Sequence, residues 1–384
     1  MVSAFDDIAR EDEGPASHLV GRFDYLNNSG RPAATRVRAM VDEFLNRYPE
    51  AHQPEMIRRL RSRDDILHLS ASFELILHEL VTRQGFTTVE VEPELPNGSR
   101  PDFLVEAPDG ARFYLEATLA RGVEAADAGA NRRLREALQA IDDVESPRFF
   151  LHLHHRGTPD QPVAVSRLRR DVQQFVDGLD FAAALAAVQA GNYRPALFRR
   201  ELHGAQFVIE PFPKGTPGRA DARAIGSRML PGGLVRPHEA IRSAVEGKAG
   251  RYGRPDFPLV VAVNALDEFA RAESAVDALF GDDGVAVGED GWRRDVRARN
   301  GVWYGEGGPI FTRLSAVIST ERLTFWDLGQ RKARLIVNPW ADPPLPDIPL
   351  GIEVRRIADG RFVFTEGRSI AELLNLPAEW PGYG

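Results

Sequence analysis

Apolar residues recur at helical spacing over 35–63, where Val37, Met40, Val41, Phe44 and Leu45 form one stripe. A stronger pattern follows. Asp64 and Asp65 can cap a helix whose stripe contains Phe73, Leu77 and Leu80 and which stops at Gly85. Three short extended segments come next, at 86–91, 102–106 and 112–119. The turn sequences Pro96-Asn97-Gly98 and Pro108-Asp109-Gly110 separate them. A polar helix over about 131–144 leads to a fourth strand at 148–154. The order is helix, three strands, helix, strand.

Beyond Arg156 the pattern predicts helices at 165–179 and 181–190 and strands at 206–210, 259–264, 314–319 and 333–338. A helix over 238–251 follows Pro237, which suits a first helical position, and stops near Gly250 and Gly253. Residues 1–34 are acidic and then turn-rich, and are expected to be a loosely attached lead-in. The domain reading is therefore a lead-in and helical segment at 1–63, an α/β core at 64–156, and an α/β extension at 157–384 that packs on the core. A break near 157–162 into two separate domains fits the pattern as well.

Composition narrows the classes. With 384 residues, 43% hydrophobic and 27% charged, the chain can bury a full core and is neither disordered nor fibrous. The longest apolar runs, at 181–187 and 259–263, fall far below the ~18 residues of a membrane span. The acidic start lacks a basic, then apolar, leader, so a cytoplasmic location with no membrane partner is expected. Zero cysteines exclude disulfides, thiolate metal sites and a cysteine nucleophile. Lys214, Lys248 and Lys332 are the only lysines among 48 basic residues, so lysine chemistry has three candidates.

Three carboxylates sit in the best-defined stretch. Glu74 is on the helix, Asp102 opens the second strand, and Glu116 lies mid-strand in Phe113-Tyr114-Leu115-Glu116-Ala117-Thr118-Leu119. Side chains alternate, so Tyr114, Glu116 and Thr118 share one face. A carboxylate among apolar residues is costly unless paired or metal-bound. Asp102 and Glu116 on adjacent antiparallel strands could converge on one hard cation, with the Ala117 carbonyl as a further ligand and Glu74 reaching it directly or through water. Each carboxylate alone also fits a structural role: Asp102 as a turn residue, Glu116 paired with an arginine, Glu74 as a surface charge.

Together with the element order, these residues resemble the PD-(D/E)XK nuclease superfamily, the restriction-endonuclease-like fold with an αβββαβ core and a mixed sheet. The resemblance covers about 66–156, a quarter of the chain. Pro101-Asp102 matches the first motif, Glu116-Ala117-Thr118 the second, and Glu74 the helix glutamate that some families add. It implies a Mg²⁺ (or Mn²⁺) site made by Asp102, Glu116, Ala117 and Glu74. It further implies hydrolysis of a nucleic-acid phosphodiester, DNA being the expected substrate, in restriction, phage defence or DNA processing. The alternative is a catalytically degenerate scaffold that binds nucleic acid or a protein partner; a homodimer fits either reading.

Thr118 occupies the position of the family's lysine. Lys248 is the candidate replacement, because it lies seven, four and three residues beyond Ile241, Ala244 and Val245 and so shares their helix face. The alternative for Lys248 is a snorkelling surface lysine. Between residues 192 and 254 twelve basic residues stand against five acidic ones in a chain of net charge −8, with Tyr193, Phe198, Phe207, Phe212 and Tyr252 interspersed. That composition suits phosphate contacts and stacking. His152, His154 and His155 are expected to be structural, because only the first two share a strand face. Asp256, in a second Arg-Pro-Asp-Phe, is a poor ligand candidate, and no phosphate-loop or nucleophile-elbow motif occurs. A remoter option places a site near 303–308 or 326–327.

Overall fold

The computed structural model describes residues 2–121, 128–215, 224–229, 236–267, 269–287, 293–329, 331–359 and 361–382. The chain forms two compact units. The first comprises Met1–Asp12, Arg22–Val123 and Arg236–Gly384, and the second Glu13–Gly21 and Glu124–Val235. The second unit thus interrupts the first in sequence.

The first unit begins with helices α1 (Arg22–Asn28), α2 (Pro32–Arg47), α3 (Gln53–Leu60) and α4 (Asp65–Arg83). Asp64 caps α4, its carboxylate accepting from the Ile66 amide at 2.8 Å. Strands β1 (Thr87–Val91), β2 (Phe103–Glu106) and β3 (Arg112–Ala120) follow as an antiparallel meander. The second unit then supplies α5 (Ala128–Asp142), β4 (Phe149–Arg156), α6 (Val165–Asp177), α7 (Phe181–Gln189), β5 (Phe198–Leu202), β6 (Ala205–Pro213) and β7 (Ile225–Met229). Its sheet runs β5-β6-β4-β7.

The chain returns to the first unit with α8 (Pro237–Ala249), β8 (Leu259–Ala265) and α9 (Ala272–Phe280). Two short ribbons follow, β9 (Asp283–Val287) with β10 (Arg293–Arg297) and β11 (Tyr304–Gly305) with β12 (Gly308–Pro309). The unit closes with β13 (Leu314–Glu321), β14 (Arg334–Val337), β15 (Glu353–Ala358), β16 (Arg361–Thr365) and α10 (Ile370–Leu373). Its mixed sheet has eight strands in the order β1-β2-β3-β8-β13-β14-β15-β16, with β8 parallel to both β3 and β13. One face packs on α2 and α4 through Phe44, Phe73, Leu77, Phe113 and Leu115. The other packs on α8 and α9 through Ile241, Val245, Leu279, Val261 and Val263.

Three expectations are corrected. The helix and strand read as completing the core at 64–156 are α5 and β4, and both belong to the second unit. The strand beside β3 is β8, and the boundaries 64–156 and 157–384 give way to an interrupted first unit. The physical reason is the burial pattern. All seven residues of β8 are buried, as a central parallel strand requires, whereas β4 alternates buried and exposed like a strand covered on one face. The segment at 1–34 is likewise no loose lead-in. Ala4, Leu26, Val37 and Phe44 are buried in the main core, and the buried Arg38 guanidinium donates to the carbonyls of Leu26 at 2.7 Å and Ser29 at 2.8 Å.

Candidate active site

The site lies where β2 begins opposite the middle of β3. Alternate β3 amides serve different neighbours: Tyr114 donates to Pro258 O beside β8, so Leu115 and Ala117 face β2. Phe103 pairs with Leu115, and continuing that register puts Pro101 opposite Ala117. Proline has no N–H, so it offers the Ala117 carbonyl no ladder donor. The Ala117 amide turns to the next residue instead, donating to Asp102 Oδ2 at 2.6 Å. Reciprocally, the Asp102 amide donates to Glu116 Oε2 at 3.1 Å. The Pro-Asp step and the strand glutamate thereby lock one another in place.

The third component comes from α8. Ile241, Val245 and Ala249 bury its apolar stripe on the sheet, and Lys248, on the same side, brings its ammonium onto Glu116 Oε1. Glu116 is almost wholly buried, while the Lys248 side chain keeps 24% exposure, so one end of the ion pair reaches solvent. Tyr252, buried just past the helix, also faces Glu116. Burial, then the Glu116 charge, pushes the Tyr252 phenol well above its ordinary range, so it acts as a donor.

Glu74 approaches from α4, under the opposite face of the sheet. Its Oε1 accepts from the Tyr48 hydroxyl at 2.9 Å and its Oε2 pairs with Arg59 at 2.6 Å. Each Glu74 oxygen thus already has one protein partner, and the Glu74 charge acts on Asp102. His78 packs edge-on to Tyr48, with ring centres 4.9 Å apart, and steadies this arm. Burial lowers the His78 imidazole to about 4.

Crowding of acids dominates the electrostatics. The Asp102 carboxyl lies well above its ordinary value, first because its surroundings desolvate it, then because Glu116 and Glu74 repel its charge. The Ala117 amide and Lys248 only partly oppose this. Asp102 Oδ1 takes no hydrogen bond from the described residues. No group of three acidic or histidine side chains among the described residues stands close enough to hold an ion by itself. The donor set on offer is therefore two carboxylates plus the ladder-free Ala117 carbonyl, all hard oxygens. That set fits a small divalent cation, whose charge would relieve the repulsion at Asp102.

Other candidate residues lie elsewhere. Thr118 keeps its place on β3, partly exposed. His155 is buried and stacked on Phe207, whereas His152 and His154 alternate to the other face of β4. Asp256 is exposed ahead of β8, and Trp303 is fully buried against Phe280. The basic segment 192–254 is divided between the two units. Within it Arg200 pairs with Asp171, Arg236 with Glu239, Arg242 with Asp282, and Lys214 is buried. Arg219 and Arg223 lie outside the described residues, and so does the Arg228 side chain. Sequence reasoning missed Tyr48, Arg59 and Tyr252 as partners. Tyr252 carried one signal, a polar aromatic between the Gly250 and Gly253 helix stops. Comparison of the chain with family models, curated proteins and solved structures finds no match.

Proposed function

We propose that the first unit is a metal-dependent phosphodiesterase of the PD-(D/E)XK type, acting on nucleic acid, with DNA as the substrate. The observation that carries this reading is the meeting of Asp102, Glu116 and Lys248 on one side of the β2–β3 junction. The order α4, β1, β2, β3, α8, β8, with β8 parallel to β3, supports the αβββαβ core, its last two elements following the second unit in sequence.

Asp102, Glu116 and the Ala117 carbonyl would hold Mg²⁺ or Mn²⁺. When bound, the ion supplies Lewis acidity to a phosphoryl oxygen and a water. The chain's own groups do the rest. Lys248, about a quarter exposed, presents positive charge at the mouth of the site, the service that Thr118 cannot give. Tyr252 and the Asp102 amide fix the Glu116 carboxylate, so the donors need little reorganisation. Glu74 is held by Tyr48 and Arg59 and adds its charge to the Asp102 side of the site.

A second reading, a non-catalytic scaffold, draws on one observation: Glu116 already has three protein partners. Mg²⁺-dependent cleavage of plasmid and linear DNA separates the two. The nuclease reading expects cleavage that Asp102→Asn and Glu116→Gln abolish and that Lys248→Met lowers by roughly 100- to 1000-fold. Equal cleavage by wild type and all three variants overturns it. A role in restriction, phage defence or DNA processing rests on the resemblance alone, and a cytoplasmic location on composition. No helix among the described residues is long and apolar enough to cross a membrane.

A further inference from the structure

The sheet of the second unit is covered on one face by its own helices. Leu151 and Leu153 of β4 and Phe207 and Ile209 of β6 pack inward with residues of α5, α6 and α7. Alternation sends Phe150, His152, His154 and Arg156 of β4, and Val208, Glu210 and Phe212 of β6, to the other face. Phe150 and Phe212 are direct cross-strand partners, and they remain 43% and 42% exposed.

Neither ring is loosely placed. Phe150 lies over Gly226 of β7 so closely that an added Cβ there would stand 2.8 Å from Phe150 Cβ and 2.9 Å from its Cδ1. The Lys214 ammonium, fixed on Ser146 O at 2.8 Å, sits 4.8 Å from the Phe150 ring centre. Phe212 is braced edge-on by Tyr193 at 5.9 Å and by His152 at 6.0 Å. Tyr193 is itself tied to Pro211 O at 2.7 Å. Such rings offer flat apolar faces without the entropy cost of ordering them on contact.

Charge decides the kind of partner. Arg156 and Arg199 point to the same face, exposed Arg194 follows Tyr193, and Lys214 sits beside Phe150. Glu201 and Glu210 oppose them, and Glu210 lies 3.7 Å from His154. Two rigid aromatic rings stand here among guanidinium, ammonium and imidazole groups. They make a surface on which bases stack while cations meet phosphates.

We propose that this face of the second unit binds single-stranded nucleic acid, with bases stacked on Phe150 and Phe212 and phosphates met by Arg156 and Arg199. The inference stands apart from the catalytic reading, because it needs neither Asp102 nor a metal. The test is fluorescence anisotropy with the full chain in EDTA, using a labelled 15-nucleotide oligothymidylate and its oligouridylate counterpart as separate arms. Wild type and Asp102→Asn are expected to bind at least one of the two alike. Phe150→Ala and Phe212→Ala should each weaken binding by roughly 5- to 100-fold, the double variant by more. Phe150→Trp should retain binding, and circular dichroism should show the alanine variants folded at the assay temperature. The proposal is overturned if wild type binds neither oligonucleotide, or if the double variant binds as tightly as wild type. It is overturned equally if sedimentation shows wild-type dimers that the double variant loses while oligonucleotide binding is absent, which would make the face a contact between copies.

Discussion

The Lys248 ammonium rests on the Glu116 carboxylate, tying the last turn of α8 to the middle of β3. Residues 132 positions apart in sequence thus share one charge pair. Glu116 is nearly inaccessible, and the Lys248 side chain is the partly exposed member of the pair.

Removing Lys248 alone should therefore be costly. Lys248→Met leaves an uncompensated buried carboxylate and should lower unfolding free energy by about 3 kcal/mol. Glu116→Gln in the same chain should restore most of the loss. Urea denaturation of the single and double variants measures the coupling, and strictly additive effects would refute it.

Asp102 should respond in the opposite sense. It faces Glu116 and Glu74 and gains a single amide hydrogen bond at its carboxyl, from Ala117. Asp102→Asn keeps an acceptor for that amide and removes the repulsion. In EDTA the variant should melt no lower than wild type, and by differential scanning fluorimetry it should lose the upward shift that Mn²⁺ gives wild type.

How much of this was legible in the sequence can be argued residue by residue. The α4 stripe with its Asp64 cap, the two turns and the alternation around Glu116 are local signals, and they put Asp102 and Glu116 on adjacent strands. Lys248 could be placed by helix periodicity alone. The partner of β3 could not, because parallel pairing across the second unit's sequence leaves no turn signature. A signal did exist: Leu-Val-Val-Ala-Val in β8 is a continuous apolar run, the mark of a strand buried on both faces, while Phe-Phe-Leu-His-Leu-His in β4 alternates. The weight of 1–34 was hidden for another reason. Its turn-rich residues are satisfied by distant partners, as when Asn27 bonds both the amide and the carboxylate of Asp6 at 2.9 Å.

The fully buried Glu79 tests whether α2 is integral to the first unit. It holds Arg47 of α2 at 2.5 and 2.9 Å and Arg83 of its own helix. Glu79→Gln should cost about 2 kcal/mol, less than a fully buried pair because both guanidiniums keep solvent contact. A thermal midpoint equal to that of wild type would mean α2 contributes nothing through this pair.

His78 should make stability pH-dependent. Its folded value of about 4 lies below the ordinary 6.5, so the unfolded chain binds the extra proton. The contribution is fully present above pH 6.5 and is lost as pH falls from 6.5 through 4, by at most roughly 3 kcal/mol. His78→Leu should flatten that part of the profile. Parallel profiles for wild type and variant between pH 7 and 4.5 would contradict it.

The most direct test of the metal-binding claim is calorimetric titration of the full chain with Mn²⁺. The account predicts one ion per chain for wild type, with heat abolished in Asp102→Asn and in Glu116→Gln while both variants stay folded. Undiminished binding in those two variants, or no binding by wild type, would contradict it.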